Sequence, residues 1–312
     1  MNGDRAVRPD GLAADGDKHA GQRHGRAKAI RFGMPDRSLR PRSGGSAKAL
    51  LLTLFGEFSN RFDGAMWTST VIEALALFDV TERNARQAVA RLADDDVLIS
   101  ERQGRRTRWH LTARGRELLT DGTERIYAFG TDGAAWDGRW LVVLASVPEG
   151  QRAKRHQLRS RLEFAGLGFI GAGVAVTPHT DREDVVNRVL TDLGLDDSAV
   201  VFLASTGSFA PDEELIRRGW DVEEMSVRYA TFIGAFAARR PSSDAESFAA
   251  LVDLVHDWRR FPFGDPEIPD ALLPPSWPGH EARQVFDRSH AAWSAAALRW
   301  YVASEADAAK GG

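Results

Sequence analysis

The chain has 312 residues, of which 43% are hydrophobic and 27% charged, so it can bury the cores of two or three globular domains. It has no cysteine, which excludes disulfides, thiolate zinc sites and a cysteine nucleophile. A net charge of −3 excludes a generally basic nucleic-acid coat, so any DNA contact must come from a local patch. No apolar run approaches the roughly 20 residues that cross a bilayer, and no signal-peptide core follows the start, so we expect a cytoplasmic protein without a membrane partner.

The first 46 residues are poor in apolar side chains and rich in Gly, Asp, Arg and His, which predicts a disordered N-terminal tail. Its spaced basic residues are compatible with a flexible arm along DNA, and an inert tail is the alternative. Between residues 48 and 58 apolar residues recur at helical spacing. This stretch predicts the first amphipathic helix of the chain.

Residues 70–111 read as a helix, a short turn, a second helix and a β-hairpin. Thr70 with Glu73 is a capping-box signature for the first of these helices, and Thr81 is the predicted N-cap of the second. The second helix places small apolar residues on one face. Its opposite face and flanks carry long hydrogen-bonding side chains, namely Arg83, Asn84, Arg86, Gln87 and Arg91.

The hairpin is rich in arginine and follows that helix directly. Residues 97–100 and 107–111 are its predicted strands, and residues 103–105 its turn. Its arginines are Arg102, Arg105, Arg106 and Arg108. A helix-turn-helix with a two-stranded wing places one helix in the major groove, where Arg pairs with guanine and Asn or Gln with adenine, while wing arginines neutralise phosphates. We therefore predict DNA binding; the alternative is that these arginines only solubilise an exposed hairpin.

A glycine-rich connection at residues 130–133 marks the first domain boundary. Strand-like runs and amphipathic helices then alternate in the order strand, helix, strand, strand, helix, strand, which is typical of the ferredoxin-like split βαβ fold. The predicted elements are 140–147, 152–164, 169–170, 174–176, 184–193 and 200–203. The glycines between residues 166 and 173 do not open a helix after a strand, so they do not predict a phosphate loop.

From Asp212 onward the apolar spacing is helical, and a last helix is predicted over 281–302. The proline- and aromatic-rich segment 256–279 lies between helices and should follow a fixed, buried path, because its tryptophans and phenylalanines favour burial. We thus predict an α+β protein with an N-terminal winged helix-turn-helix, a central ferredoxin-like α/β domain and a mostly helical C-terminal domain. The predicted bounds are 1–46 (disordered tail), 47–130, 134–206, 210–303 and 304–312 (disordered tail).

Several of these segments resemble the PaaX family of bacterial transcriptional repressors, which is known for controlling phenylacetic acid breakdown. They are LLLTLFGEF at 50–58, TERNARQAVARL at 81–92, WDGRW at 136–140, HDWRRFP at 256–262 with Asp265-Pro266, LLP at 272–274 and WPG at 277–279. The resemblance spans about residues 47–301. It implies a homodimeric repressor that an aryl-acyl-CoA, such as phenylacetyl-CoA, releases from a double-stranded DNA operator. It also implies a central domain similar to the small ferredoxin-like proteins of CRISPR adaptation.

An acyl-CoA ligand needs partners for its phosphates and its aromatic ring. Arg259 and Arg260 are candidates for the anionic groups, with Trp258 and Trp277 beside the ring. The alternative is that the two arginines form a salt-bridged structural element. We expect no cofactor, and His156 and His179 lack the spacing of metal ligands.

Two other functions are compatible with parts of the sequence. Asp137 precedes the first central strand, a position that resembles a nuclease site in the CRISPR relatives, and His256 with Asp257 places an imidazole next to a carboxylate. No metal-binding cluster accompanies Asp137, and neighbours on a helix diverge by about 100°, so we do not expect an enzyme. The second alternative is a ligand- or protein-binding module whose winged helix does not contact DNA. The salt dependence of binding distinguishes a DNA-binding protein from such a module, since contacts with phosphates weaken steeply with ionic strength.

Overall fold

The computed structural model of the chain describes residues 46–59, 64–131 and 135–310. The predicted N-terminal tail lies outside these ranges except for Ser46, whose side chain caps the first helix by accepting a hydrogen bond from the Ala49 amide (3.3 Å). The described residues form a mixed α+β structure with two small sheets and a helical C-terminal part, as the sequence predicts at that level. In these ranges none of the helices is both long and apolar enough to cross a membrane.

The N-terminal part combines helices with a small antiparallel sheet. Its elements are α1 (Ala47–Phe58), β1 (Ala65–Trp67), α2 (Thr68–Ala76), α3 (Glu82–Asp94), β2 (Leu98–Gln103), β3 (Arg106–Leu111) and α4 (Ala113–Ala128). The strand order is β1-β3-β2, so the short strand β1 extends the predicted hairpin to three strands. Leu51, Leu75 and Leu92, one from each of the first three helices, are fully buried. The apolar spacing in the sequence identifies these inward faces.

The central part is a four-stranded antiparallel sheet with helices on one face. Its elements are β4 (Trp140–Ala145), α5 (Arg152–Phe164), β5 (Gly168–Gly171), β6 (Val174–Thr177), α6 (Glu183–Asp192) and β7 (Ala199–Ala204). The strand order is β5-β6-β4-β7. Leucines and valines of α5 and α6 pack on the face that contains Leu141 and Val143. Residues from the C-terminal part cover the other face around Trp140 and Val176. Each face of the sheet therefore packs in a separate hydrophobic core.

The C-terminal part is helical, with a long irregular segment before its last helix. Its helices are α7 (Asp212–Gly219), α8 (Val222–Phe236), α9 (Asp244–Trp258) and α10 (Gly279–Lys310). The irregular segment contains 3₁₀ turns at Phe261–Phe263 and Asp270–Leu272. Within it Phe261, Pro262, Ile268 and Leu272 are buried. The segment therefore follows a fixed path, as its aromatic and proline content predicts.

Residues 258–267, which we call the connecting segment, make hydrogen bonds to all three parts. The Trp258 indole donates to the Ile126 carbonyl of α4 (3.1 Å), and Arg125 of the same helix donates to the Pro262 carbonyl (2.8 Å). On the central side, His179 Nε2 lies 2.8 Å from the Glu267 carbonyl oxygen. The Tyr229 hydroxyl of α8 donates to Asp265 Oδ2 (2.5 Å). Because its polar groups are hydrogen-bonded in this way, the connecting segment is a fixed part of the structure rather than a flexible linker.

The predicted disordered tail at 304–312 is wrong as far as the described residues reach, because α10 continues to Lys310. Its last turns are held by packing: Tyr301 is fully buried and Ser304 is 7% exposed. Helix α2 begins at Thr68, two residues before the predicted cap. Strand β1 is absent from the prediction because three residues are too few to show an alternating pattern.

Two glycines of α4 give opposite expectations for replacement by alanine. A Cβ on Gly115 would collide with the Val97 carbonyl oxygen, whereas a Cβ on Gly122 meets nothing within 4 Å. Gly115→Ala should therefore lower the free energy of unfolding by about 1–3 kcal/mol through overpacking. Gly122→Ala should raise it by up to about 1 kcal/mol, because alanine favours the helix. Urea denaturation measures both; a Gly115→Ala variant as stable as the parent would contradict this close packing.

Candidate functional site

Helix α3 carries the polar residues that the sequence predicts for DNA recognition. It begins at Glu82 because the Thr81 hydroxyl accepts a hydrogen bond from the Asn84 amide (3.4 Å), which satisfies one of the free N–H groups of the first turn. Its inner face is small, apolar and buried, and consists of Ala85, Ala88, Val89 and Leu92. This face packs α3 against the N-terminal core and turns the opposite face to solvent.

The outer face of α3 is an exposed row of hydrogen-bonding side chains. Arg83, Asn84, Gln87 and Arg91 are all exposed, and across the described ranges their side chains make no hydrogen bond or ion pair. Arg86 is also exposed, but its Nε donates to Glu82 Oε1 one turn earlier (2.9 Å). Exposed pairs at this spacing contribute little stability, so Arg86 can exchange its partner at low cost. The structure thus leaves all five predicted side chains accessible.

The arginines at the tip of the β2–β3 hairpin are also exposed. Gly104 makes the turn with a φ of 63°, a conformation that glycine adopts without strain. Arg102 Nε donates to the Gly104 carbonyl oxygen (3.1 Å), and Arg105 has no partner in the described part of the chain. Both guanidiniums can therefore reach an external anion.

The other two hairpin arginines face helix α10. Arg106 Nη1 donates to the Ala308 carbonyl oxygen (2.7 Å) and to the Ala309 carbonyl oxygen, so it satisfies backbone acceptors at the C-terminal end of that helix. Arg108 Nη2 lies 3.8 Å from Glu305 Oε2. Both guanidiniums also lie over the Trp67 ring, at 5.0 and 5.6 Å from its centroid. The alternation of side chains along β3 places Arg106 and Arg108 on one face, and the sequence does not indicate that α10 covers this face.

The end of α10 is bonded to the N-terminal part at further points. The Trp67 amide donates to Glu305 Oε1 (2.9 Å), and the Ser304 hydroxyl donates to Glu73 Oε2 (2.5 Å). The Tyr301 hydroxyl donates to the Ala65 carbonyl oxygen (3.3 Å). Helix α10 therefore contacts β1, α2 and the β2–β3 hairpin. The sequence prediction places Glu305 in a tail, and its spacing of one helical turn from Tyr301 is the pattern that could have indicated a continued helix.

Two tryptophans predicted beside a ligand ring belong to the aromatic core. Trp258 is 1% exposed, donates its indole N–H to α4 and stacks on Phe286 with ring centroids 4.8 Å apart. Trp277 packs edge-on against Tyr229 at 5.4 Å. The prediction that Trp258 faces a ligand is therefore corrected: burial leaves its ring no open face, and its role is in packing.

Arg259 and Arg260 follow Trp258 at the end of α9. Arg260 is exposed and Arg259 partly buried, and in the described ranges neither forms an ion pair. Burial, and then the charge of Arg260, lower the pKa of Arg259 to about 10. The same two arginines, after burial, lower the pKa of His256 to about 3, and its Nδ1 lies 3.1 Å from Thr53 Oγ1 of α1. The end of α9 is thus a locally positive site whose imidazole stays neutral.

Asp137, the candidate for nuclease chemistry, is engaged within its own turn. Its carboxylate accepts hydrogen bonds from the Arg139 amide (2.9 Å) and guanidinium (2.7 Å). That side-chain bond is the largest of the causes that lower the pKa of Asp137. Among residues 46–59, 64–131 and 135–310, no group of three His, Asp or Glu side chains could hold a metal ion.

Comparisons with known proteins assign a family. A "PaaX-like protein" family model matches residues 46–115, a "PaaX protein central Cas2-like domain" matches 133–216, and a "PaaX-like protein C-terminal domain" matches 220–303. The chain belongs to the PaaX family. The transcriptional repressor PaaX of Escherichia coli K12 is 27% identical over 251 residues, which cover 77% of this chain and 78% of that protein.

A solved structure has a similar fold. The uncharacterized protein Rv0674 of Mycobacterium tuberculosis superposes with a TM-score of 0.56 at 19% identity, covering 83% of this chain and 99% of that one. The contacts of Arg106 and Arg108 with α10 join the first PaaX-family segment to residues beyond 303, where the last matched segment ends. Helix α10, which contacts the β2–β3 hairpin, thus extends past the end of the matched C-terminal segment.

The two arginine pairs of the hairpin should differ in their effect on stability. Arg106→Gln removes hydrogen bonds from a charged donor to the end of α10, so the free energy of unfolding should fall by about 1–2 kcal/mol. Arg105→Gln removes a guanidinium without a partner in the described chain and should leave it unchanged within about 0.5 kcal/mol. Urea denaturation of the two variants compares them directly. Equal stability would contradict the assignment of Arg106 to α10.

Proposed function

We propose that this PaaX-family chain is a sequence-specific DNA-binding transcriptional repressor. The observation that carries the proposal is the exposed outer face of α3, where Arg83, Asn84, Gln87 and Arg91 have no partner within the described ranges. Such donors on a rigid helix suit a ligand that presents many acceptors. The name of the Escherichia coli relative, a transcriptional repressor, supports the same function.

Residues 47–130 form the winged helix-turn-helix domain of this proposal. Helix α2, the turn after it and α3 make the helix-turn-helix, and the β2–β3 hairpin is the wing. The second helix of such a motif enters the major groove, where Arg holds guanine through O6 and N7, and Asn or Gln holds adenine through N6 and N7. The residues assigned to reading bases or anchoring the helix are Arg83, Asn84, Arg86, Gln87 and Arg91.

The wing contributes through two mechanisms. Arg102 and Arg105 at its tip neutralise phosphates of the flanking backbone, which a local basic patch on an acidic protein must do. Arg106 and Arg108 act on DNA binding by holding the wing against α10, since their guanidiniums are directed to that helix. Sequence-independent affinity for DNA thus depends on Arg102 and Arg105. The orientation of the wing depends on Arg106 and Arg108.

The remaining parts form a homodimer and sense an inducer. The strand order β5-β6-β4-β7 supports a ferredoxin-like domain at 134–206, followed by a helical domain at 210–303. A homodimer places two copies of α3 about 34 Å apart, one turn of DNA, on a palindrome-like operator. An aryl-acyl-CoA such as phenylacetyl-CoA, with Arg259 and Arg260 as anion partners, favours a dimer in which this spacing is wrong. A coupling of about 1–3 kcal/mol lowers operator affinity about 5–150-fold.

The recognition-helix assignment is tested by the double variant Arg83→Ala/Gln87→Ala. Both side chains are exposed, so the fold should remain, while operator affinity should fall by about 100-fold or more because two base contacts are lost. Fluorescence anisotropy on the DNA just upstream of the protein's own gene measures the affinity. Arg188→Ala, which removes an exposed arginine from α6, is the matched control and should bind as the parent does. Unchanged affinity of the double variant would refute the assignment.

A further inference from the structure

One side of the last turns of α10 contacts both halves of the DNA-binding part. Ser304, Glu305 and Ala308 lie within about one helical turn of each other, so they share that side. The Ser304 hydroxyl donates to Glu73 of α2, which belongs to the helix-turn-helix. The Ala308 carbonyl oxygen accepts a hydrogen bond from Arg106 of β3, which belongs to the wing (2.7 Å). The end of α10 is therefore placed to set the wing relative to the helices.

Between these two contacts, Glu305 bonds to residues that lie opposite each other on neighbouring strands. Trp67 of β1 pairs with Arg108 of β3. Glu305 Oε1 accepts a hydrogen bond from the Trp67 amide (2.9 Å), and Oε2 lies 3.8 Å from Arg108 Nη2. Only 12% of the Glu305 side chain is exposed, so water competes little for its carboxylate. Because the ion pair is long, the bond with the Trp67 amide is the stronger of the two contacts.

The wing extends beyond the strand that supports its base. Strand β1 pairs with residues 108–110, whereas the pairing of β2 with β3 continues to Gln103 and Arg106, next to the turn. Arg106 donates there to the Ala308 and Ala309 carbonyl oxygens, which are among the last four of α10 and have no partner inside the helix. The end of α10 thus supports the wing where, in the described part of the chain, no third strand does.

We propose that Glu305 is a positioning residue for DNA binding. Its bond with the Trp67 amide fixes the end of α10 against β1, and the end of α10 in turn holds Arg106 and the outer half of the wing. The exposed arginines of the tip, Arg102 and Arg105, are thereby kept at a fixed place relative to α3. Glu305 itself does not contact DNA. The inference deepens the proposed function and rests on it.

Two effects of Glu305 on DNA affinity have opposite signs. Its negative charge repels phosphates, so by charge alone its removal raises affinity. Its removal also releases the wing, which lowers affinity because Arg102 and Arg105 lose their phosphate contacts. The second effect is larger, since each phosphate contact contributes about 0.9 to the slope of log K against log salt, whereas the charge of Glu305 is mostly buried and faces Arg108.

Fluorescence anisotropy with the operator, at several salt concentrations, tests the sign. Glu305→Ala should lower affinity about 10-fold and reduce the salt slope by about 1–2, the loss of one or two phosphate contacts. Asp307→Ala is the matched control. It removes the same charge from an exposed position two residues further along α10, where Asp307 pairs with Lys310, and should bind at least as tightly as the parent.

Two conservative variants separate position from charge. Glu305→Gln keeps the length of the side chain and an acceptor for the Trp67 amide, so it should bind within about 3-fold of the parent. Glu305→Asp keeps the charge but is shorter by one methylene, so its carboxylate cannot make the same bond and affinity should fall as in Glu305→Ala. Thermal melting verifies that each variant folds, and the Gln and Asp variants decide the question if Glu305→Ala does not.

Coupling to the tip provides a readout that a purely structural role would not change. Arg105→Gln should weaken operator binding of the parent about 5-fold, and weaken Glu305→Ala little further, because the released tip no longer reaches the backbone. Amide hydrogen exchange tests the same point without DNA. In Glu305→Ala the amides of residues 102–107 should exchange about 10-fold faster than in the parent, and those of α3 at an unchanged rate.

An affinity of Glu305→Ala equal to or above that of Asp307→Ala would overturn the inference, and an increase would mean that the end of α10 competes with phosphates for the wing. Additive losses in the double variant would contradict the link to the tip, and equal weakening by Gln and Ala would contradict the role of the Trp67 bond. If the parent does not bind the operator, the proposed function fails, and hydrogen exchange still decides whether Glu305 holds the wing.

Discussion

The connecting segment is the element on which the arrangement of the chain depends. Its backbone and side chains exchange hydrogen bonds with α4 through Trp258 and Pro262, with the central part through Glu267, and with α8 through Asp265. An irregular segment inside a protein must satisfy its polar groups, and this one does so with partners from every part. Aromatic rings also pack around it: Phe261 stacks on Tyr229, and Trp258 stacks on Phe286. A change in the position of the N-terminal, central or C-terminal part therefore requires the connecting segment to rearrange.

The end of helix α10 provides a second connection to the N-terminal part. Its last turns are hydrogen-bonded to Trp67 and Glu73 and to the guanidinium of Arg106, so they hold strand β3 against α10. The outer face of α3 and the tip of the β2–β3 hairpin remain exposed to solvent. The proposed DNA-binding function would use this exposed surface of α3 as its reading surface.

Local patterns in the sequence predict the elements well, and contacts between distant segments poorly. The cap at Thr81 and the buried face of α3 follow from helical spacing, and the strand sequence of the central part follows from short β-branched runs. The contact of Arg106 with α10 joins residues about 200 apart, and no periodicity encodes it. The same is true of Arg125 and Phe164, which are ordinary surface residues until the fold brings them together. The sequence is compatible with Trp258 either in the core or beside a ligand, and its burial in the structure places it in the core.

The most direct test of the repressor function is a gel shift with the parent chain on the DNA just upstream of its own gene, at low salt, repeated with phenylacetyl-CoA and with free phenylacetate. We predict a sequence-specific shift that the CoA ester abolishes and that weakens steeply as salt is added. No shift on that DNA or on neighbouring catabolic promoters would contradict DNA binding. A shift that is insensitive to both compounds would contradict release by this inducer.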